Sequence, residues 1–264
     1  DELTACAVRT LLEARERGFR VEEAMLTRAR AAMKKALNQE HRDYPLSPAE
    51  ILTVRASLLE ALTRMDYRDP ATLSALFKER DQLSLDAKVH LLRAAWRMDN
   101  QAVVGELRRD LQNLARVEAQ TAWYEDPVPQ PWLFASSVRT TGLVLEAFLE
   151  QGEAPLAPRM VRWLMEARRD GHWGTTQQDA AALRALLAYR SRFESRDPDL
   201  EATVQVAGRE ILQARLNSKT PLASSRTPLE QGKVGEALEV LFGRRCRGTL
   251  HYDLRLRYAP EKDP

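Results

Sequence analysis

PRMVRWLMEARRDGHWGTTQQDAAALRALLAYRSRF, residues 158–193, writes two helices with a sharp joint between them. Val161, Trp163, Leu164 and Met165 recur at helical spacing on one broad face of the first. That helix ends at Arg168, Arg169 and Gly171, where cations suit the negative end of the helix dipole and glycine admits a left-handed turn. The second opens at Thr175-Thr176-Gln177-Gln178, a capping box in which Thr175 and Gln178 satisfy each other's backbone amides. Ala180, Leu183, Leu186 and Leu187 are expected to form its buried stripe, with Trp173 wedged in the joint.

Outward from this stretch the chain keeps the same grammar. Residues 3–17 place Val8, Leu11 and Leu12 on one face and stop at Gly18; residues 22–37 do the same with Met25, Ala29, Ala32, Met33 and Ala36. Ser47-Pro48-Ala49-Glu50 combines an N-cap serine, a proline at the first helical position and a glutamate at the third, so a helix runs from there to about Met65. Asp69-Pro70, Ser84, Asn100 and Ser136 start four more, with Leu73, Leu76 and Phe77, then Val89, Leu92, Ala95 and Trp96, then Val103, Leu107, Leu111 and Leu114, then Leu143, Leu145, Phe148 and Leu149 turned inward. Residues 123–134 carry three prolines among aromatics and read as a long surface loop. About nine helices joined by short loops pack as antiparallel hairpins, and stacked hairpins give a solenoid or a ring.

The pattern changes near Asp197-Pro198. Leu200, Ala202, Val204 and Val206 alternate with polar residues, which is strand periodicity; Gly208 marks a turn and Glu210–Leu216 is expected to return. Residues 217–233 read as loop. Thr249–Tyr258 has the clearest alternation in the chain and is expected to be a half-buried antiparallel strand. The expected organisation is a helical domain at 1–196 and an antiparallel β region at 197–264, the latter part of a sandwich with too few strands to close on its own.

Composition narrows the function classes. Hydrophobic residues make up 44% of the 264, enough for a globular core. Lys+Arg 40 against Asp+Glu 38 leaves +2, with no basic excess for nucleic-acid phosphates, and charge-dense stretches such as Glu13-Ala14-Arg15-Glu16-Arg17 read as solvated helix faces. No apolar run reaches the roughly 20 residues of a membrane span, and the opening Asp1-Glu2-Leu3 reads as mid-helix, without a signal peptide.

Chemistry-bearing motifs are sparse. His41, His90, His172 and His251 fall in no metal-ligand spacing, His90 being expected on the surface or half-buried and His172 in a packing or hydrogen-bonding role at the joint. Glu125-Asp126 could be an acid pair of the glycosidase kind, but neighbours in sequence rarely face each other across a substrate. Trp123, Trp132, Trp163 and Trp173 suit core packing better than a ligand pocket. Cys246 among Arg244, Arg245 and Arg247 reads as a loop tip, and Cys6 as a small buried hydrophobe. No catalytic, cofactor-binding or metal-ligating residue is assigned, and no cofactor is expected.

The words at 161–195 resemble the thioester-containing domain of bacterial alpha-macroglobulins. So do Leu3-Thr4-Ala5, where the family reads L-T-A-Y and Cys6 replaces the tyrosine, Trp123-Tyr124-Glu125-Asp126-Pro127, and the closing run Gly248–Tyr258. The resemblance implies a mainly α fold, an α/α toroid forming a partial ring, followed by strands of a β-sandwich. It implies a structural part of a broad-spectrum protease inhibitor of the host-defence type, a protease trap rather than an enzyme, periplasmic or extracellular. Its partners would be proteases, met through a full-length parent, and the rest of that parent chain, with no nucleic acid and no membrane contact by this part. One departure stands out: neither Cys6 nor Cys246 begins the family's C-x-E-Q thioester motif. The expectation is therefore the later part of the ring without its N-terminal helices, or a parent that has no thioester. The alternatives from other classes are a helical-ring enzyme of the terpene-cyclase or glycan-degrading type, and a helical interaction scaffold.

Overall fold

The computed structural model describes residues 2–38, 46–125, 135–152, 154–193, 199–228, 237–247, 250, 252 and 254–256. Among them are nine α-helices: α1 Glu2–Glu16, α2 Glu23–Asn38, α3 Pro48–Thr63, α4 Pro70–Lys78, α5 Leu85–Arg97, α6 Gln101–Leu114, α7 Ser137–Glu150, α8 Ala157–Ala167 and α9 Thr176–Phe193. Five strands accompany them: β1 Arg116–Val117, β2 Ala122–Trp123, β3 Asp199–Val206, β4 Arg209–Asn217 and β5 Val240–Arg247. The chain divides into two compact units, Asp1–Tyr189 and Arg190–Pro264.

Helix starts follow the caps in the sequence. Ser47 Oγ accepts from Glu50 N while Glu50 Oε2 accepts from Ser47 N, a complete capping box with Pro48 in the first turn. Asp69, Ser84, Asn100 and Ser136 each accept from the amide three residues on. Two helix ends share a wording absent from the expectations above. Arg64-Met65-Asp66 ends α3 and Arg97-Met98-Asp99 ends α5, each aspartate at φ 59. Tyr67 N then reaches Leu62 O and Asn100 N reaches Ala95 O, so both ends are Schellman motifs closed by aspartate instead of glycine.

In the first unit the odd-numbered helices α1, α3, α5 and α7 pack in succession, and the even-numbered helices lie against them: α2 on α1 and α3, α4 on α3 and α5, α6 on α5, α8 on α7. This is the two-layered hairpin arrangement of an α/α toroid, with α3 and α5 buried on nearly all sides. Apolar residues such as Leu58, Leu62, Leu91 and Phe148 fill the space between the layers.

The joint of 158–193 is sharper than a capped helix end. Asp170 and Gly171, at φ 49 and 94, form a two-residue turn, and Arg169 and His172 exchange both backbone hydrogen bonds across it. Asp-Gly is the favoured pair for such a type I′ turn. Trp173 then folds back: its indole Nε1 donates to Leu164 O at 2.5 Å, its amide donates to Asp179 Oδ1, and Arg168 stacks over its ring. Trp173 therefore ties the end of α8, through its indole, to the start of α9, through its amide, and does not wedge them apart. The Thr175–Gln178 box forms as the sequence indicates.

The face of α9 differs from the expected stripe. Ala182 and Ala185 are buried, whereas Ala180 is exposed and Leu183 and Leu187 are each 51% exposed. The reason is close approach to α7, where a Cβ on Gly142 would stand 2.8 Å from Ala181 O, so only small residues fit that seam. Met25, Trp96 and Met165, assigned inward from periodicity, also face solvent.

The second unit holds a three-stranded antiparallel sheet in the order β4-β3-β5. Leu200, Ala202 and Val206 of β3 are buried on one face, and the β3–β4 hairpin closes through Ala207 and Gly208, both with positive φ. Of the strand expected over 249–258, Thr249, His251, Asp253, Arg257 and Tyr258 lie outside the described residues, and the third strand seen is β5, which the sequence reading passed over. Leu250, Tyr252, Leu254, Arg255 and Leu256, the residues described in that window, belong to no named strand, and Tyr252, Leu254 and Leu256 are exposed. Tyr252 instead stacks on Phe242 of β5. Cys246 lies within β5 opposite Leu200, not at a loop tip. A second short antiparallel pair, β1 with β2, also lies outside the expectations.

Candidate functional site

The most concentrated chemistry of the helical unit sits where its inner helices face one another. Residues four apart on a helix share a face. Arg9 and Glu13 of α1, Glu60 of α3 and Arg64 at its C-cap, Arg93 and Arg97 of α5, and Glu146 and Glu150 of α7 are four such pairs, joined by Arg184 of α9. Together they make an ion lattice that touches every inner helix.

Glu60 is its hub and has no exposed side-chain surface. Its Oε2 accepts from Arg9 Nη1 at 3.2 Å and its Oε1 from Arg64 Nε at 2.7 Å. Arg9 also donates to Ser57 Oγ at 2.8 Å and reaches Glu2 at 3.3 Å. Arg93 grips Glu150 with Nε and Nη2 at 3.1 and 2.8 Å and touches Glu146 at 3.1 Å. Arg184 bridges Glu146 and Glu13 at 3.0 and 2.5 Å, which joins α9 to both α7 and α1. Nearer the helix N-termini, Asp86 pairs with Arg139 and accepts from Thr140 Oγ1.

His90 is the one titratable neutral group in this lattice. It is 2% exposed, its Nδ1 3.5 Å from Glu60 Oε2, which corrects the expectation of a surface or half-buried position. Burial pushes the His90 imidazole below its ordinary pKa, against the pull of Glu60. Burial alone would raise the Glu60 carboxyl, but the His90 contact and the charges of Arg9, Arg64 and Arg93 outweigh it and hold it well below the carboxylate range. Glu146 is lowered in the same way: burial opposes, and Arg93 and Arg184 prevail.

Six carboxylates (Glu2, Glu13, Glu60, Asp86, Glu146, Glu150) and six guanidiniums (Arg9, Arg64, Arg93, Arg97, Arg139, Arg184) take part, so the described lattice is electrically balanced. Each carboxylate lies against a cation, which leaves none poised as a general acid or base. What the arrangement can do is set register. A slip of one turn between α1 and α3 would bring Arg9 beside Arg64, or Glu13 beside Glu60, like charge against like in a low-dielectric interior.

The residues singled out from sequence do not gather into one site. His172 accepts from Gly174 N through Nδ1 at the α8–α9 joint. Trp123 and Trp163 stack on each other at 5.9 Å. Glu125 is exposed; His41, Asp126, Trp132 and His251 lie outside the described residues. Cys6 is half-buried and Cys246 exposed, both as free thiols. Among the described residues no group of three or more His, Cys, Asp or Glu is arranged to hold a metal ion. The lattice itself escaped the sequence reading, although lone charges inside apolar runs, Glu60 in LLEAL, Arg93 in LLRAA and Glu146 in LVLEAF, were its signal. Glu13, read as part of a solvated face, is one of its members.

Two layers of hairpins trailed by an antiparallel sheet recur in solved structures. The native Escherichia coli alpha-2-macroglobulin matches with a TM-score of 0.62 and 16% identity, covering 92% of this chain and 13% of that one. The fold is like that of a bacterial alpha-2-macroglobulin. The same E. coli protein activated by porcine elastase matches at a TM-score of 0.60 and 18% identity, covering 83% of this chain and 20% of that one. Among curated proteins, the alpha-2-macroglobulin homolog of Nostoc sp. is 25% identical over 247 residues, 90% of this chain. The chain spans 12% of that relative's length. No protein-family model matches it. No helix among the described residues is long and apolar enough to cross a membrane.

Proposed function

We propose that this chain is a structural part of a macroglobulin-like protease inhibitor, a trap of the host-defence type acting in the periplasm or outside the cell. The observation that carries the reading is its likeness, over most of its length, to a bacterial alpha-2-macroglobulin that is activated by elastase. In this reading residues 1–196 form the toroid, residues 197–264 contribute strands to a sandwich, and the partners are proteases and the rest of the parent chain. The ion lattice fits a mechanical role, because it fixes the register of the inner helices and offers no free acid or base for turnover. That favours the inhibitor over a helical-ring enzyme, whose chemistry needs an unpaired carboxylate at the ring's centre.

The test is incubation of the parent protein with elastase and with trypsin. A steric trap leaves the protease active site intact, so cleavage of a small peptide substrate is expected to persist while cleavage of a large protein substrate falls. Equal loss of both activities, or loss of neither, sinks the reading. The 264-residue chain alone is expected to inhibit neither protease.

A further inference from the structure

Two groups converge on one oxygen of Glu60. Arg9 Nη1 of α1 donates to Oε2 at 3.2 Å, and His90 Nδ1 of α5 stands 3.5 Å from the same atom. The other oxygen, Oε1, accepts from Arg64 Nε at 2.7 Å. Arg9 already holds the oxygen that His90 faces, and the buried His90 Nδ1 makes no hydrogen bond. Arg9 has further holds: it donates to Ser57 Oγ at 2.8 Å and to Ser57 O at 3.4 Å, and it pairs with Glu2 Oε1 at 3.3 Å. The second oxygen of that carboxylate, Glu2 Oε2, is buried and also makes no hydrogen bond. One pairing of the group is therefore made, Arg9 with Glu60. The unmade bonds outline a second, His90 with Glu60 and Arg9 with both oxygens of Glu2.

Charge decides between the two pairings. A neutral imidazole competes poorly with a guanidinium for a carboxylate, whereas an imidazolium carries a proton on both ring nitrogens and makes a charge-assisted bond. The largest charges on His90 are Glu60 of α3 and Arg9 and Glu2 of α1. On its own helix Asp86 and Arg93 lie about one turn away, the first engaged with Arg139 and the second with Glu146 and Glu150 of α7. We propose that Glu60 is a two-position switch: with His90 neutral its Oε2 holds Arg9, and with His90 protonated it turns to His90 while Arg9 passes to Glu2. The exchange strands no charge, because Glu2 and Ser57 keep Arg9 and Arg64 keeps Glu60. Mild acid thereby moves one charged tie from between α1 and α3 to between α5 and α3. Burial sets where this happens: it lowers the His90 pKa below the ordinary 6.5, and Glu60, held well below 4.5, is still ionised when His90 takes its proton. This inference is independent of protease trapping.

An NMR titration of the 264-residue chain from about pH 7.5 to about pH 4.5 tests it, following the ring nitrogens of His90 and the guanidinium signals of Arg9 and Arg64. The Arg9 signals are expected to shift with the same midpoint as the His90 ring, and those of Arg64 to stay nearly still. His90→Gln is expected to abolish the Arg9 shift in this range. Glu2→Gln takes away the second carboxylate of Arg9, and is expected to cut the Arg9 shift about twofold or more and to lower the His90 midpoint by about half a pH unit. Arg9→Met removes the competitor and is expected to raise that midpoint by about one unit. Should that chain fail to fold, Glu2→Gln, with a partly exposed side chain, carries the test. Arg9 signals that stay flat while His90 titrates overturn the proposal. So does an Arg9 shift that survives His90→Gln, a His90 midpoint indifferent to Glu2→Gln, or unfolding of the chain before His90 takes its proton.

Discussion

Arg9 on α1 places Nη1 3.2 Å from Oε2 of Glu60 on α3, with the two side chains only 8% and 0% exposed. A charge pair sealed to this degree contributes little net stability relative to a well-packed apolar pair, yet breaking it from one side strands a buried charge. Glu60→Gln removes the negative charge that Arg9, Arg64 and Arg97 share, and is expected to lower the unfolding free energy by about 3–5 kcal/mol. Urea denaturation followed by circular dichroism measures it. Glu60→Met combined with Arg9→Met should cost less than the two single changes added together, because each then removes the other's unpaired partner. Strict additivity would mean that the pair is not coupled in solution.

Acid should destabilise the helical unit in two stages. His90 has a folded pKa below its ordinary 6.5, so the folded state binds this proton later than the unfolded chain does, and stability falls as pH drops below about 6.5. Glu60 and Glu146 also have lowered pKa values, so their contribution is full above about 4.5 and is lost as pH falls through the folded values. The urea midpoint is expected to be flat from pH 8 to 7, to decline gently towards pH 5, and to decline steeply below pH 4.5. His90→Gln should flatten the gentle segment and keep the steep one. A midpoint that rises on acidification between pH 7 and 5 contradicts the burial of a neutral His90.

The sequence exposed the helices better than it exposed their faces. Caps are local chemistry: Ser47 with Glu50 and Thr175 with Gln178 need only a few consecutive residues, and both form as written. Which side of α9 turns inward depends on Gly142, more than thirty residues away, and periodicity carries no such information. The lattice was missed for a related reason. Arg and Glu on a helix usually mark a solvated face, and only tertiary pairing reveals that Glu60 and Arg93 are interior. At Thr249–Tyr258 the alternation is real, and the described residues there, Leu250, Tyr252, Leu254, Arg255 and Leu256, belong to no named strand. β5 has a weaker pattern and pairs along its whole length with β3.

Trp173 offers a test of the joint. Its indole N–H satisfies Leu164 O in a site where the ring is 8% exposed. Trp173→Phe keeps an aromatic ring but leaves that carbonyl without the indole donor, and is expected to cost about 1–3 kcal/mol. Limited proteolysis between Arg168 and Thr175 should speed up accordingly. An unchanged urea midpoint would mean that the indole fills space without tethering α8.

Asp66 closes α3 at φ 59 on an exposed position, so backbone conformation rather than packing should govern substitutions there. In a left-handed cap glycine has no Cβ penalty, aspartate a small one, alanine a larger one and a β-branched residue the largest. The expected order of stability at position 66 is Gly, Asp, Ala, Val, with about 1–2 kcal/mol between the extremes. Helix propensity makes a different forecast: if residue 66 were an ordinary member of the helix, alanine would be the best choice and glycine would lose about 1 kcal/mol to it. Thermal or urea unfolding of the four chains separates the two. Glycine at or above aspartate, and alanine below it, is the signature of the Schellman end; alanine at the top would place Asp66 inside α3.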